Sequence, residues 1–428
     1  MSWVRACCWA AGAAALGTLL VVITVFRTAV TEDELHSYDY GRRVVFEGRF
    51  DRLTEADSAK LPVLALNALP ERVAAGLGWR RSAVESLLAP LPLSSPARDY
   101  ILAHLPIYAG RLVTLVFYLG LCALVFAWGT EVYGPSGTLG ATVLTASVPT
   151  LLGHSALFSS DAAASCMILA AVYALARCLL DPSVERSVVA GVAGGLALLT
   201  KYSATALVPV ALTMVVLRTL TAERLEPRAR VFHGSLVAIV IAGPGALLVV
   251  SAGFAFQHPF TRLTEIACDS SALHGARGLL GGLPLPLPRD FLIGLDRVGS
   301  LSGATLPLGG AGEEGSSANP LVASLLRMPL PLFLLLLTRP WRWHRRYTDL
   351  VWLTPVAWVG VHLSLSPYSQ IGLRSLLPAF PFLALLAAGS WDADRPRRWR
   401  QLASVLTVLA VVEAVWGCPR YLWYFGQP

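Results

Sequence analysis

Charge is scarce in this chain. Only 14% of its 428 residues are Asp, Glu, Lys or Arg, against 55% hydrophobic residues and a mean hydropathy of +0.60. A soluble protein this apolar would leave too much apolar surface in water, so the composition excludes a soluble globular domain and indicates a polytopic membrane protein. Lysine is almost missing: two of the 34 basic residues, Lys60 and Lys201, are lysine and the rest are arginine. The seven cysteines have no paired spacing of the zinc-site kind. Cys7, Cys8, Cys122, Cys166 and Cys178 fall in apolar runs, where cysteine acts as a small hydrophobe. Internal repeats are lacking. The glycines between residues 281 and 315 are too irregular for a phosphate-binding loop, and no helix start follows them. The net charge of +7 comes in short arginine clusters between apolar runs, which is a topology signal and excludes a nucleic-acid partner.

What is present is a series of membrane-length apolar runs. Runs of about 17–25 residues occur near 8–29, 111–129, 137–153, 161–180, 187–200, 203–217, 231–254, 321–338, 349–366, 375–390 and 401–417. They predict an all-α polytopic membrane protein of about eleven transmembrane helices, with residues 1–428 as a single transmembrane domain. The first run lacks a small-residue cleavage site and is read as a retained helix rather than a signal peptide. Arginines at 218–230, 339–346 and 395–400 fall on one side if the runs alternate, which makes that side cytoplasmic. The first loop, 31–110, the loop 255–320 and the turn 367–374 then lie outside. In the first loop, apolar residues at helical spacing over 61–69 and 81–91, interrupted by prolines, predict short amphipathic helices on the membrane surface. The Gly- and Pro-rich stretch 255–320 reads as a structureless lid or mobile segment.

Thr31–Gly41 leaves the first run carrying five titratable acids and histidines in eleven residues. Carboxylates at a membrane boundary are expensive unless paired, solvated or used. Asp33 and Glu34 are read as the catalytic centre of a membrane-embedded enzyme. Adjacent side chains diverge by about 100° on a helix, so one is expected to work as a general base and the other to orient or stabilise it. The bland alternative is a solvated acidic helix end. His36 shares Asp33's face on a helix, with Asp39 a turn further, and is read as hydrogen-bonding support. A divalent metal there lacks a second His cluster, so no metal or other cofactor is expected. Lys60 and Lys201 are compact point charges suited to a phosphate, or else snorkelling helix ends. Arg374 is an isolated outer arginine that runs against the positive-inside trend and can clamp a phosphate. Asp161 follows Ser159 and Ser160, so it is either a capping group or a second polar group in the same cavity.

These segments together resemble the GT-C superfamily of membrane glycosyltransferases, near the protein O-mannosyltransferases and the lipid A aminoarabinose transferases. Asp33-Glu34-Leu35-His36 looks like that group's Asp-Glu-x-x-His signature with one residue fewer before the His, and Leu198-Leu199-Thr200-Lys201-Tyr202 is similar to its Leu-Thr-Lys corner. Asp161-Ala162-Ala163 resembles its Thr-Asp-Ala helix start. Gln370-Ile371-Gly372-Leu373-Arg374, with Leu376-Leu377-Pro378, looks like its Asn-Ile-Gly-x-Arg-x-Leu-Leu-Pro segment, with Gln370 in place of Asn. Tyr424-Phe425 is similar to its Tyr-Phe-Asn element. The resemblance implies inverting transfer of a sugar from a polyprenyl-phosphate donor to a hydroxyl of a protein, glycan or lipid acceptor. It implies an integral protein of the bacterial plasma membrane, with its site on the extracytoplasmic face. Asp33 would be the base, Lys201 and Arg374 the donor-phosphate ligands, and His36, Lys60, Asp161, Tyr202, Gln370 and Tyr424 further substrate contacts. A lipid or glycolipid flippase and a non-catalytic envelope scaffold are the competing readings. Polar residues gathered on one face, rather than at mid-bilayer, favour the enzyme.

Overall fold

The computed structural model describes residues 1–50, 63–78, 84–86, 89–90, 94–222, 227–301, 328–339, 346–365, 374 and 376–421. Among them every regular element is helical, apart from one antiparallel bridge between Thr261 and Leu285. In chain order, α1 is Trp3–Arg27, α2 Glu32–Glu47, α3 Val63–Gly76, α4 Ser95–Val132, α5 Pro135–Ala146 and α6 Pro149–Ser155. Then come α7 Asp161–Leu180, α8 Val184–Thr200, α9 Leu207–Leu220, α10 Arg228–Gly253, α11 Ser271–Leu280 and α12 Arg289–Leu301. The last four are α13 Leu330–Thr338, α14 Arg346–Leu365, α15 Phe380–Ala387 and α16 Arg397–Gly417. Among the described residues, six helical segments are long and apolar enough to cross a membrane: α1, α4, α7, Tyr202–Leu220 (α9 with the short 3₁₀ turn before it), α10 and α16. The protein is therefore an integral membrane protein.

Two expected span boundaries and one expected loop need correction. The run 137–153 is two helices, α5 and α6, because Pro149 cannot donate to the ladder of α5 and instead starts a new helix. The helix expected from 111 begins at Ser95, with Pro96 tolerated in its first turn. Its 38 residues span about 57 Å at 1.5 Å per residue, against a hydrocarbon core of about 30 Å. The helix is therefore longer than that core is thick, and its first turns cover what was read as loop. The segment 255–301 is also folded. Leu263, Ile266 and Leu292 form a small core of their own, and the buried Asp296 carboxylate accepts from the Asp269 and Ser270 amides and the Ser270 hydroxyl. Its glycines and prolines made that core hard to see. Of the two expected surface helices, the first is α3, which runs through Pro70 without ending; of 81–91 only 84–86 and 89–90 are described.

Small residues set the helix spacing. α8 lies against α10 along Gly191 and Gly195: a Cβ at Gly191 would stand 2.4 Å from the Ala242 carbonyl oxygen, and one at Gly195 2.7 Å from that of Ala246. This four-residue spacing of glycines lets membrane helices touch backbone to backbone. α2 meets α3 the same way, with the Cβ position of Gly41 only 2.2 Å from the Leu64 carbonyl oxygen. Gly41→Ala would gain about 1 kcal/mol of helix propensity but overpack a backbone contact at about 1–3 kcal/mol. A net fall in the thermal midpoint of the purified protein is expected; an unchanged or higher midpoint would show that the contact is slack.

A candidate active site at one end of the bundle

Asp33 and Glu34 sit in the first turn of α2, where the helix dipole favours carboxylates. They face different surroundings. Glu34 is buried, and both of its oxygens are taken. Oε1 accepts from Arg111 Nε at 2.8 Å and from the Phe158 amide at 2.7 Å. Oε2 accepts from Arg111 Nη2 at 2.7 Å and from the Thr31 amide and hydroxyl at 3.0 and 3.1 Å. Arg111 has 0% of its side chain exposed. It also donates to the carbonyls of Val25, Thr28 and Ala29, each at 2.9 Å, so it clasps the end of α1 and the start of α2 together. Asp33, by contrast, has 75% of its side chain exposed.

A second carboxylate gathers the cations. Asp161 opens α7 and is 4% exposed. Its Oδ1 accepts from Lys201 Nζ at 2.7 Å; its Oδ2 lies 3.3 Å from Arg374 Nε and 3.3 Å from His154 Nδ1. Arg374 reaches the other way as well, donating from Nη1 to Asp33 Oδ2 at 2.9 Å. Asp161, and then Asp33, hold the Arg374 guanidinium even more firmly protonated than usual. Lys201 stands where α8 ends in extended backbone and gives way to the 3₁₀ turn Tyr202–Ala206. The break lets the ammonium leave an apolar helix at its end instead of its middle.

The structure thus brings Asp33, Asp161, Lys201 and Arg374 into one connected cluster. His36 is exposed one turn beyond Asp33 on α2. Tyr202 is buried, its ring 5.2 Å from that of Phe291, so it seats the Lys201 corner against α12. Lys60, Gln370 and Tyr424 lie outside the described residues. Two residues of the site escaped the sequence reading. Arg111 carried a signal, as the one Asp, Glu, Lys or Arg between residues 100 and 130; a lone ionisable residue in a membrane helix marks a site by default. His154 carried only its position, seven residues before Asp161. Among the described residues no three His, Cys, Asp or Glu side chains converge as a metal site needs. Lys201 and Arg374 are suited to an anion, and Asp33 to a proton.

Residues 100–247, about a third of the chain, match the family model described as dolichyl-phosphate-mannose-protein mannosyltransferase. No curated protein matches the chain by sequence. Among solved structures, the Archaeoglobus fulgidus oligosaccharyltransferase in its apo form is 13% identical with a TM-score of 0.53. The match covers 98% of this chain and 56% of that one, so the chain spans about half the length of that enzyme. The same oligosaccharyltransferase tethered to an acceptor peptide containing the NVT sequon matches at 11% identity, with the same TM-score of 0.53 and the same coverage. ArnT from Cupriavidus metallidurans, bound to undecaprenyl phosphate, follows at 14% identity and a lower TM-score of 0.47, over 95% of this chain and 70% of that one. The fold is the all-α fold of the solved Archaeoglobus fulgidus oligosaccharyltransferase.

Proposed function

We propose that the chain moves a sugar from a polyprenyl-phosphate donor to an acceptor hydroxyl, with inversion, at the extracytoplasmic face of the membrane. The observation that carries this reading is Arg374, which touches Asp33 at 2.9 Å and Asp161 at 3.3 Å. It stands a candidate base beside candidate phosphate ligands at one end of a bundle of membrane helices. The orientation is supported by the arginines of the α9–α10, α13–α14 and α15–α16 connections, which belong to the opposite helix ends. The GT-C fold supports the class of reaction.

The acceptor oxygen attacks the anomeric carbon and its proton passes to Asp33. The bond from that carbon to the phosphate oxygen breaks, and its electron pair leaves on the phosphate. Negative charge grows on the leaving phosphate, so fixed cations in a partly desolvated site lower the barrier more than they would in water. Lys201 and Arg374 supply those cations, and Asp161 holds both in place. The exposed Asp33 faces the side from which an acceptor can enter, and Glu34 serves by fixing the helix start that bears Asp33.

Removing a charge-assisted hydrogen bond costs about 1.5–3 kcal/mol, or roughly 10- to 100-fold in affinity. Lys201→Ala and Arg374→Ala are each expected to raise the donor KM by about that factor, measured in membranes supplied with a polyprenyl-phosphate sugar. Donor saturation that stays put in both variants would remove these cations from the phosphate. Lipid movement across vesicles with no sugar transfer would favour the flippase instead.

A further inference from the structure

His154 lies against the Asp161 end of the cluster, and this mechanism leaves it without a task. It sits near the end of α6, whose seven residues are all buried, and is itself 5% exposed. Its Nδ1 is buried without a hydrogen-bond partner, and the Asp161 carboxylate oxygen Oδ2 stands 3.3 Å away, at ion-pair distance. That same carboxylate oxygen pairs with Arg374 Nε at 3.3 Å, while the other accepts a hydrogen bond from Lys201 Nζ.

We infer that His154 is a positioning residue: its Nδ1–H holds the Asp161 carboxylate so that one oxygen presents to Lys201 and the other to Arg374. The argument is one of geometry and valence. A carboxylate held by a single contact swings about its Cβ–Cγ bond. Asp161 has a donor on each oxygen, but both are long side chains, with Lys201 26% and Arg374 30% exposed. Such side chains give up rotamer entropy to stay in one place. His154 is shorter, buried, and carried by a helix that packs against α1, α4, α5, α7 and α16. It is therefore the stiffest of the three side chains set against the carboxylate. An ionised carboxylate only accepts hydrogen bonds, so the nitrogen facing it must carry the proton, which fixes the tautomer as Nδ1–H. Held this way, Asp161 sets the distance between the two cations before a phosphate arrives.

This inference rests on the reading of Lys201 and Arg374 as donor ligands, so its test has one arm that needs no transfer. The amide nitrogen of Asn falls near the place of imidazole Nδ1, and that of Gln near Nε2. His154→Asn should therefore keep the contact and His154→Gln should lose it. The first arm uses nuclear magnetic resonance of histidine-labelled protein. One of the eight histidine signals should vanish in His154→Asn, report a protonated Nδ1, and shift in Asp161→Asn. The second arm is kinetic, with thermal stability in detergent followed for each variant. His154→Gln is expected to raise the donor KM by about tenfold with the acceptor KM unchanged, and His154→Asn to stay near wild type. A signal with Nδ1 unprotonated overturns the inference. So do equal donor KM values in the two variants, or losses that track stability alone. Wild-type protein that transfers no sugar would sink the functional reading, while the tautomer would still decide the His154 contact.

Discussion

Asp33→Asn is expected to reduce sugar transfer by about 10²–10⁴-fold, the usual contribution of a positioned general base. Asn keeps the shape of the side chain and can still accept from Arg374, but it cannot take the acceptor's proton. Because 75% of the Asp33 side chain is exposed, its loss should leave expression and the thermal midpoint near wild type. Transfer measured in membranes with a polyprenyl-phosphate sugar, beside a stability control, separates chemistry from folding. Turnover equal to wild type would remove Asp33 from the mechanism. The neighbouring Glu34 predicts the reverse pattern, since its role is to hold α2 in place.

The largest effect on stability is expected from Arg111→Leu. The change strands Glu34 as a buried carboxylate and leaves the Val25, Thr28 and Ala29 carbonyls without their donor. Breaking a buried pair from one side costs about 3–5 kcal/mol, a large fraction of the roughly 5–15 kcal/mol that keeps a domain folded. The protein should accumulate poorly and melt early. Arg111→Lys should fall between, because an ammonium cannot make two parallel bonds to one carboxylate. Arg111→Leu with Glu34→Leu should recover part of the stability, since no charge is left unpaired, yet transfer should stay low because the start of α2 is no longer clasped. Wild-type stability in the single Arg111→Leu variant would show that the pair contributes little net energy. Full activity in the double variant would show that Asp33 needs no such support.

The class of fold was legible in composition, since nothing but a membrane explains so many apolar runs. Asp33, Asp161, Lys201 and Arg374 were legible one at a time, because each is a charge where charge is scarce. Their mutual contacts were not: Arg374 and Asp33 are 341 positions apart, and no local pattern encodes such a pairing. The division of labour within Asp33-Glu34 depended on Arg111, 77 residues away, and on the Phe158 amide. Periodicity misplaced the start of α4 because residues 95–110 are too polar in places to count as span, though they continue the same helix. It also missed the core inside 255–301, which is built from single apolar residues spread through a Gly- and Pro-rich stretch.

Three of the four clustered charges stand at the start or end of a helix: Asp33 opens α2, Asp161 opens α7 and Lys201 closes α8. Height along the bundle axis is therefore their shared coordinate. A slide of one residue is about 1.5 Å, enough to pull Lys201 Nζ out of hydrogen-bond range of Asp161 Oδ1, now 2.7 Å away. Gly191 and Gly195, two to three turns below Lys201, hold α8 close against the α10 backbone at Ala242 and Ala246. That seam works as a depth stop: it sets how far α8 reaches along α10, and so the level at which its ammonium meets the carboxylate of α7.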